Sequence, residues 1–337
     1  EPVLARSAPY DTAMRQAIGD AVADPGDATG VAAVEVALTD RHAEAVSALF
    51  AAAGVAPGDI DVIGFHGQTI HHDPAAGTTH QIGDGGRLAR ATGCLVVNDF
   101  RSADMAAGGE GAPLAPVFHA ALAQKIDLPV CVLNIGGVAN VTWIGEAGGL
   151  DGAAIFDHLL AFDTGPGGAL LDDWVRRHTG APFDAGGILA AAGRVDAGAL
   201  VALLDHRYFA RSAPKSLDRN DFDPAPVAGL ALEDGAATLM AFTVEAIAAA
   251  REHLPGTPRR WLVTGGGRHN ATLMAALAVR LKVGVDPVEA VGWDGDALEA
   301  QAFAYLAVRR LRGLPASGPA TTGARQPVVG GILNLPG

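Results

Sequence analysis

Short apolar runs alternate with longer amphipathic stretches along this chain, and most of the runs end in glycine or a polar residue. Residues 10–22 and 40–53 carry apolar side chains at helical spacing. In the second, Ala43, Val46, Leu49, Phe50 and Ala53 share a face and Gly54 supplies a stop. Asp61 to Phe65 and Leu95 to Val97 read as short strands, separated by a polar stretch, His71 to Arg87, rich in Gly and His. Pro113 to Pro116 opens a helix that reaches Gln124, and Asp127-Leu128-Pro129 breaks it. Val130 to Ile135, Gly136-Gly137 and Val138 to Ile144 predict a β-hairpin. The apolar run ending at Phe162-Asp163 leads into Thr164-Gly165-Pro166-Gly167-Gly168. A helix follows from Ala169, with Leu170, Leu171, Trp174 and Val175 on one face. Helices over 236–254 and 296–312 flank a strand, Arg260 to Thr264, that ends in Gly265-Gly266-Gly267, and Asn270 opens the next helix. The tail from Gly313 is rich in Pro, Gly and Thr, with a last strand expected at Val328-Val329.

This order predicts an α/β chain. Its 337 residues exceed one ordinary core. We expect two similar domains facing a cleft: residues 1–126 completed by 318–337, and residues 127–317. Polar clusters at the C-terminal ends of strands are where open α/β sheets bind ligands.

Composition narrows the picture. A hydrophobic share of 49% against 18% charged describes a packed globule rather than a disordered chain. The net charge of −13 argues against a nucleic-acid partner, though not against a nucleotide held by backbone N–H groups. The two cysteines, Cys94 and Cys131, sit in apolar runs, which suits a reducing cytoplasm rather than a disulfide scaffold. No apolar run spans a bilayer, and no basic-then-apolar leader is present. The chain opens on Glu1-Pro2 without an initiator Met, so we expect it to be cut short there.

The chemistry gathers at three strand-to-glycine junctions: Gly136-Gly137, Gly165 to Gly168, and Gly265 to Gly267. Backbone N–H groups at such turns can cradle phosphates, because side chains would block the approach. Asp163, at the end of its strand, is then placed as a base beside an anion. Taken alone it reads sooner as a helix-capping Asp in a tight turn. The first domain supplies His66, Gln68, Asp99, Arg101, Asp104 and Glu110. Asp99 and Arg101 suit sugar hydroxyls or a carboxylate, or else form a surface ion pair of little energetic weight. His66, His71, His72 and His80 match no zinc spacing. Lys215 to Asn220 either closes over the cleft or is a solvated loop. Neither a Walker A sequence nor a G-x-G-x-x-G after the first strand is present, which leaves the actin-like, ribonuclease H-like two-domain kinases.

Seven motifs, in order, resemble one family. They are His66-Gly-Gln-Thr69, Asn98-Asp-Phe-Arg101, Gly108-Gly-Glu-Gly-Ala-Pro-Leu114, Leu133-Asn-Ile-Gly-Gly-Val-Ala-Asn140, Phe162-Asp-Thr-Gly-Pro-Gly167, Pro214-Lys-Ser216 and Thr264-Gly-Gly-Gly267. Together they are similar to the anhydro-N-acetylmuramic acid kinases. The resemblance implies two ribonuclease H-like domains around a cleft, homodimerisation, and ATP with Mg²⁺, whose protein ligands the sequence does not name. It implies a reaction in which 1,6-anhydro-N-acetylmuramic acid, water and ATP give N-acetylmuramic acid 6-phosphate, a step of peptidoglycan recycling. Asp163 falls at the family's general base. Nucleotide contacts would fall at Gly136, Gly137, Asn140, Thr164, Gly165, Gly167, Gly265, Gly266, Gly267 and Asn270. Sugar contacts would fall at His66, Gln68, Thr69, Asp99, Arg101, Asp104, Gly111, Ala112, Pro113 and Lys215, with Arg101 and Lys215 the candidates for the lactyl carboxylate.

Three departures accompany the resemblance. The family's N-terminal Ser-Gly-Thr-Ser-x-Asp-Gly phosphate loop and its hairpin, roughly 15 residues, would precede Glu1. Gly168 stands where Asn is usual, and Glu110 where Gln is common. Two other readings follow: a plain hexose or N-acetylhexosamine kinase with Asp99 as base, and a catalytically silent nucleotide- or sugar-binding protein.

Overall fold

Val130 to Ile135 is apolar at nearly every position because the strand it forms is covered on both faces. The computed structural model describes residues 3–145, 152–218 and 221–337. Arg219 and Asn220 of the polar cluster lie outside the described residues. In chain order the first part holds α1 (Thr12–Ala23), α2 (Ala28–Ala53), β1 (Ile63–Gly64), β2 (Gln68–Asp73), β3 (Thr78–Ile82) and α3 (Gly85–Thr92). It continues with β4 (Val96–Asn98), α4 (Ser102–Ala106) and α5 (Pro116–Ala123). Then come β5 (Val130–Ile135), β6 (Val138–Ile144), β7 (Leu159–Pro166), α6 (Ala169–Thr179), α7 (Ile188–Ala192) and α8 (Ala197–Leu204). The chain closes with α9 (Leu232–Ala249), β8 (Arg260–Thr264), α10 (Ala271–Leu281), β9 (Gly284–Pro287), α11 (Leu298–Leu311) and β10 (Ile332–Asn334).

The larger sheet has the spatial order β7-β6-β5-β8-β9. Strands β5, β6 and β7 form an antiparallel meander, and β8 and β9 join parallel to β5. Numbered within the sheet this is 3-2-1-4-5, the ribonuclease H-like arrangement, and the expected α/β class is what the chain adopts. Alternation along β5 divides the core. Val130 and Val132 pack with Val117 of α5 and Leu306 of α11, whereas Cys131, Leu133 and Ile135 pack with Ile247 of α9 and Leu277 of α10. In the smaller sheet β4 is central, parallel to β1 and antiparallel to β10. Helix α11 lies against β1 so closely that a Cβ on Gly64 would sit 2.1 Å from the Phe303 carbonyl oxygen.

Local signals account for several helix ends. Asp11, Asp27, Asp84 and Asn270 each accept a backbone N–H of the first turn, and Gly54, Gly93 and Gly180 end helices with positive φ. Differences from the sequence expectations have physical reasons. Helix α2 begins at Ala28 rather than residue 40, because the Asp27 cap starts it where apolar periodicity is weak. The polar stretch after His66 contains a hairpin, β2 with β3, in which Ile70 and Ile82 are the buried side chains. The final strand is Ile332–Asn334, not Val328-Val329. Val328 makes a single bridge to Ser317, and the ladder to β4 starts four residues later.

One buried carboxylate locks the C-terminal segment down. Asp104, 0% exposed, accepts from the Ser317 hydroxyl, from Thr322 Oγ1 at 2.6 Å and from the Gly111 N–H at 2.8 Å. The Glu110 N–H donates to the Thr322 carbonyl beside it. Asp104→Ala strands three buried donors. It is expected to lower the unfolding free energy by about 3 kcal/mol in urea titrations. A loss below about 1 kcal/mol would assign the docking of this segment to other contacts.

Candidate active site

Asp163 sits where β7 bulges. Asn140 pairs with Asp163 and Ala139 with Gly165, so Thr164 is an extra residue in the ladder. Thr164 turns inward, its hydroxyl bonding the Ala139 carbonyl, and the bulge aims the Asp163 carboxylate into a cavity of ≈390 Å³. Three bonds hold Asp163: its N–H donates to the Lys215 carbonyl (2.9 Å), the Tyr208 hydroxyl donates to its carbonyl (2.5 Å), and the Leu217 N–H donates to Oδ2 (2.9 Å). Burial pushes its pKa up to about 7. The Leu217 N–H, Arg101 and Arg211 oppose that rise, while Glu110 adds to it. A carboxylate tuned near neutrality, facing a cavity, is suited to take a proton at cellular pH.

Arg101 lines the same cavity. Its Nη1 donates to the Gly111 carbonyl at 2.7 Å, and its Nε and Nη2 donate to His66 Nε2 at 3.2 and 3.0 Å. His66 Nδ1 is 3.0 Å from the Gly67 carbonyl and takes the proton in this arrangement. Burial and then the Arg101 charge push the His66 pKa down to about 4, so the ring stays neutral and orients the guanidinium without competing with it. Gly67 and Gly111 both have positive φ, which lets the backbone turn back toward these side chains.

A second cavity of ≈450 Å³ joins the first at Gly266 and His269. Its walls include Gly136, Gly167, Gly267 and Asn270, with Leu171, Met240 and exposed Phe183 supplying an apolar side. The glycine turns are not equivalent there. The Gly167 and Gly168 N–H groups donate to the carbonyls of Gly137 (2.9 Å) and Gly136 (2.7 Å), so these two turns are zipped to each other. Gly266 and Gly267 open a short 3₁₀ turn, whose first N–H groups have no partner within the turn and lie where the cavities meet. Arg268 braces this loop: Nη1 bonds the Gly265 carbonyl, Nε bonds Glu289 and Nη2 bonds Asp296.

The family model for anhydro-N-acetylmuramic acid kinase matches residues 2–335. The chain belongs to that family. A relative of that name from Rhizorhabdus wittichii is 52% identical over 99% of this chain and 91% of its own length. Relatives of the same name from Rhodospirillum rubrum and Acidiphilium cryptum are 54% and 59% identical, covering 96% and 89% of this chain and 84% and 80% of their own. Similarity to solved structures is remote. A xylulose kinase from Lactobacillus acidophilus has a TM-score of 0.36 and 15% identity, over 66% of this chain and 45% of that one. An ADPNP-bound activator of 2-hydroxyisocaproyl-CoA dehydratase from Clostridium difficile has a TM-score of 0.37 and 14% identity, over 59% of this chain and 67% of that one.

In this anhydro-N-acetylmuramic acid kinase family member the fold gathers only part of the expected residue set. Asp163, Arg101, Ala112, Pro113, Asn140, Gly265 and Gly266 line the first cavity; Gly136, Gly167, Gly267 and Asn270 line the second. Others stand behind these walls. His66 and Gly111 hold Arg101, Gly137 accepts from Gly167, and Thr164 and Gly165 lie buried at the bulge. Gln68 and Thr69 are spent on the β2–β3 hairpin, where Gln68 Nε2 bonds the Thr69 carbonyl and Gln81 bonds Thr69. Asp99 Oδ1 accepts from the Ser102 N–H and hydroxyl at the start of α4, and the residue lines neither cavity. Asp104 is consumed by its three buried donors. Lys215 points away from the cavity, toward the carbonyls of Tyr208 and Phe209.

The cavity also recruits residues that the sequence reading passed over. Glu299, on the first turn of α11, lines it, and its charge favours the protonated form of Arg101. His119 is buried in the wall with Nδ1 3.0 Å from Thr142 Oγ1, and burial pushes its pKa down to about 4. Asn134 and Thr264 lay beside glycine turns and could have been picked from that adjacency. Glu299 carried no local signal.

Proposed function

We propose that this kinase opens the 1,6-anhydro bond of 1,6-anhydro-N-acetylmuramic acid with water while transferring the γ-phosphoryl group of ATP to O6. The observation that carries the reading is Asp163, a carboxylate with a pKa near 7, facing one cavity with Arg101 and the Gly265-Gly266 loop. Asp163 takes a proton from water as the oxygen bonds C1. The C1–O6 bond breaks, O6 bonds the γ-phosphorus, and ADP leaves. Because phosphorus captures the leaving oxygen, one carboxylate suffices where acetal hydrolysis ordinarily needs two. Sugar would occupy the Arg101 side and nucleotide the Phe183–Met240 side, with phosphates at Gly266 and Gly267. The sugar-side lobe is residues 1–126 with 318–337, the nucleotide-side lobe residues 127–317, and α11 bridges them.

No group of three or more His, Cys, Asp or Glu side chains converges among the described residues. Mg²⁺ would be held chiefly by the phosphates, with Glu299 and Asp296 the carboxylates lining the cavity besides Asp163, and would neutralise charge on them. The homodimer and the cytoplasmic setting rest on the family resemblance. The plain-kinase reading with Asp99 as base has less support, since Asp99 lines neither cavity.

Turnover in ¹⁸O-water tests the chemistry. One label is expected in the C1 hydroxyl of the sugar phosphate and none in the phosphoryl group. Unlabelled C1 hydroxyl would overturn the hydrolytic step.

A further inference from the structure

Lys215 belongs to the Pro214-Lys-Ser216 motif, yet its ammonium faces inward. The residue is 4% exposed. Nζ lies 3.3 Å from the Tyr208 carbonyl, 3.4 Å from the Phe209 carbonyl and 3.3 Å from His253 Nε2, and 4.7 Å above the Tyr208 ring. Two carbonyls and one imidazole nitrogen match its three N–H donors. No carboxylate opposes it among the described residues, and Arg211 adds a second cation nearby. A buried charge with neutral acceptors alone weakens a fold, so a methionine-like side chain would serve packing better.

What the ammonium does hold is the loop that grips Asp163. Residues 208–217 supply all three of the bonds to Asp163 described above, from the Tyr208 hydroxyl, the Lys215 carbonyl and the Leu217 N–H. Lys215 ties the two ends of that loop together through the Tyr208 and Phe209 carbonyls, and Arg211 Nη1 adds a bond to the Ser216 carbonyl. We propose that charged Lys215 is a positioning residue that keeps this clasp closed on the catalytic base, and that the clasp loosens when Lys215 loses its proton. The proposal rests on Asp163 being that base.

Burial first, and then Arg211, pushes the Lys215 pKa down to about 8, within reach of ordinary assay pH. The other charged or titratable groups around its ammonium are His253, with Glu252 beyond, Tyr208 and Arg211. Burial, with Lys215 as the second cause, lowers the His253 pKa, so the imidazole is a neutral acceptor at pH 8. A lysine whose folded pKa lies below its usual 10.5 leaves the unfolded chain binding the extra proton between the two values. Stability from this group therefore rises over that window while the clasp loosens. An alkaline loss of turnover caused by Lys215 thus comes without its own loss of stability.

The test is the alkaline limb of kcat in the full kinase, read with the thermal midpoint at each pH. Lys215→Met is expected to lower kcat by about tenfold or more and to erase the limb near pH 8, with KM for ATP changed less than twofold. His253→Glu adds a carboxylate beside the ammonium and should move the limb up by about one pH unit; His253→Leu removes an acceptor and should move it down. If Lys215→Met fails to fold, the two half-buried His253 variants carry the test alone. A wild-type limb in Lys215→Met, or a limb that stays in place in both His253 variants, overturns the proposal. Asp163→Asn separates the two readings: full turnover there removes the base itself, whereas lost turnover with an unshifted limb removes only the clasp.

Discussion

Asp163→Asn is expected to lower kcat by about 10³-fold, with KM for ATP changed less than twofold. The carboxylate is the general base of the proposed reaction, and the amide that replaces it accepts no proton. Its backbone bonds to Lys215 and Tyr208 do not involve the side chain, so the bulge persists. Two pH dependences accompany the loss. Turnover of the unsubstituted protein should fall with acid through about pH 7, because the base must be ionised. For stability the sign is opposite. The folded pKa lies above the usual 3.8, so the folded state binds the extra proton between the two values, and stability falls as pH rises through that window. Asp163→Asn lacks that slope. Its thermal midpoint should therefore exceed that of the parent at pH 8 and converge with it near pH 4. Coupled ADP-release assays and thermal melts read these outcomes. Near-normal turnover would remove Asp163 from the chemistry.

Gly167→Ala should raise KM for ATP by more than about tenfold and cost about 2–3 kcal/mol of stability. A Cβ there would lie 2.3 Å from the Gly136 carbonyl oxygen and 2.9 Å from the Val138 carbonyl carbon. Both are backbone atoms, so no side chain can swing aside, and the zipper between the two glycine turns must open. Gly266→Ala separates fold from ligand. Nothing lies within 4 Å of its added Cβ, so stability should be unchanged, and a raised KM for ATP would report crowding of the nucleotide itself. A Gly167→Ala variant with unchanged KM and unfolding free energy would show that the zipper does not shape the site.

Much of the fold was legible because its cues are local. A Gly-Gly pair between two apolar runs makes the β5–β6 hairpin, and Asp or Asn ahead of an apolar period starts a helix. The β2–β3 hairpin was not legible, since its Gln, Thr and His residues bury few apolar side chains and leave no period to read. The last strand was misread because Val328-Val329 has high strand propensity, while the exposed Ile332–Asn334 is a strand through its pairing with β4. The same division runs through the site. Asp163, Gly167 and Gly265 to Gly267 could be named from a strand that stops at a glycine turn. The His66–Arg101 pair joins residues 35 apart, and Glu299 arrives on a helix from far along the chain.

Asp163 shows where the boundary falls. Its position, at the end of an apolar strand and before a Thr-Gly-Pro-Gly turn, is a property of the sequence, because backbone geometry there depends on neighbouring residues. Its proton affinity is not. That comes from burial under a loop fifty residues on and from the charges of Glu110, Arg101 and Arg211, which only folding brings near. Likewise the sequence marked three glycine turns as possible phosphate cradles. Tertiary structure decided which would keep N–H groups for a ligand, since Gly167 and Gly168 donate theirs to the carbonyls of Gly137 and Gly136. A hydrogen bond used in packing is not available to a ligand, and that allocation is made between segments that the sequence keeps apart.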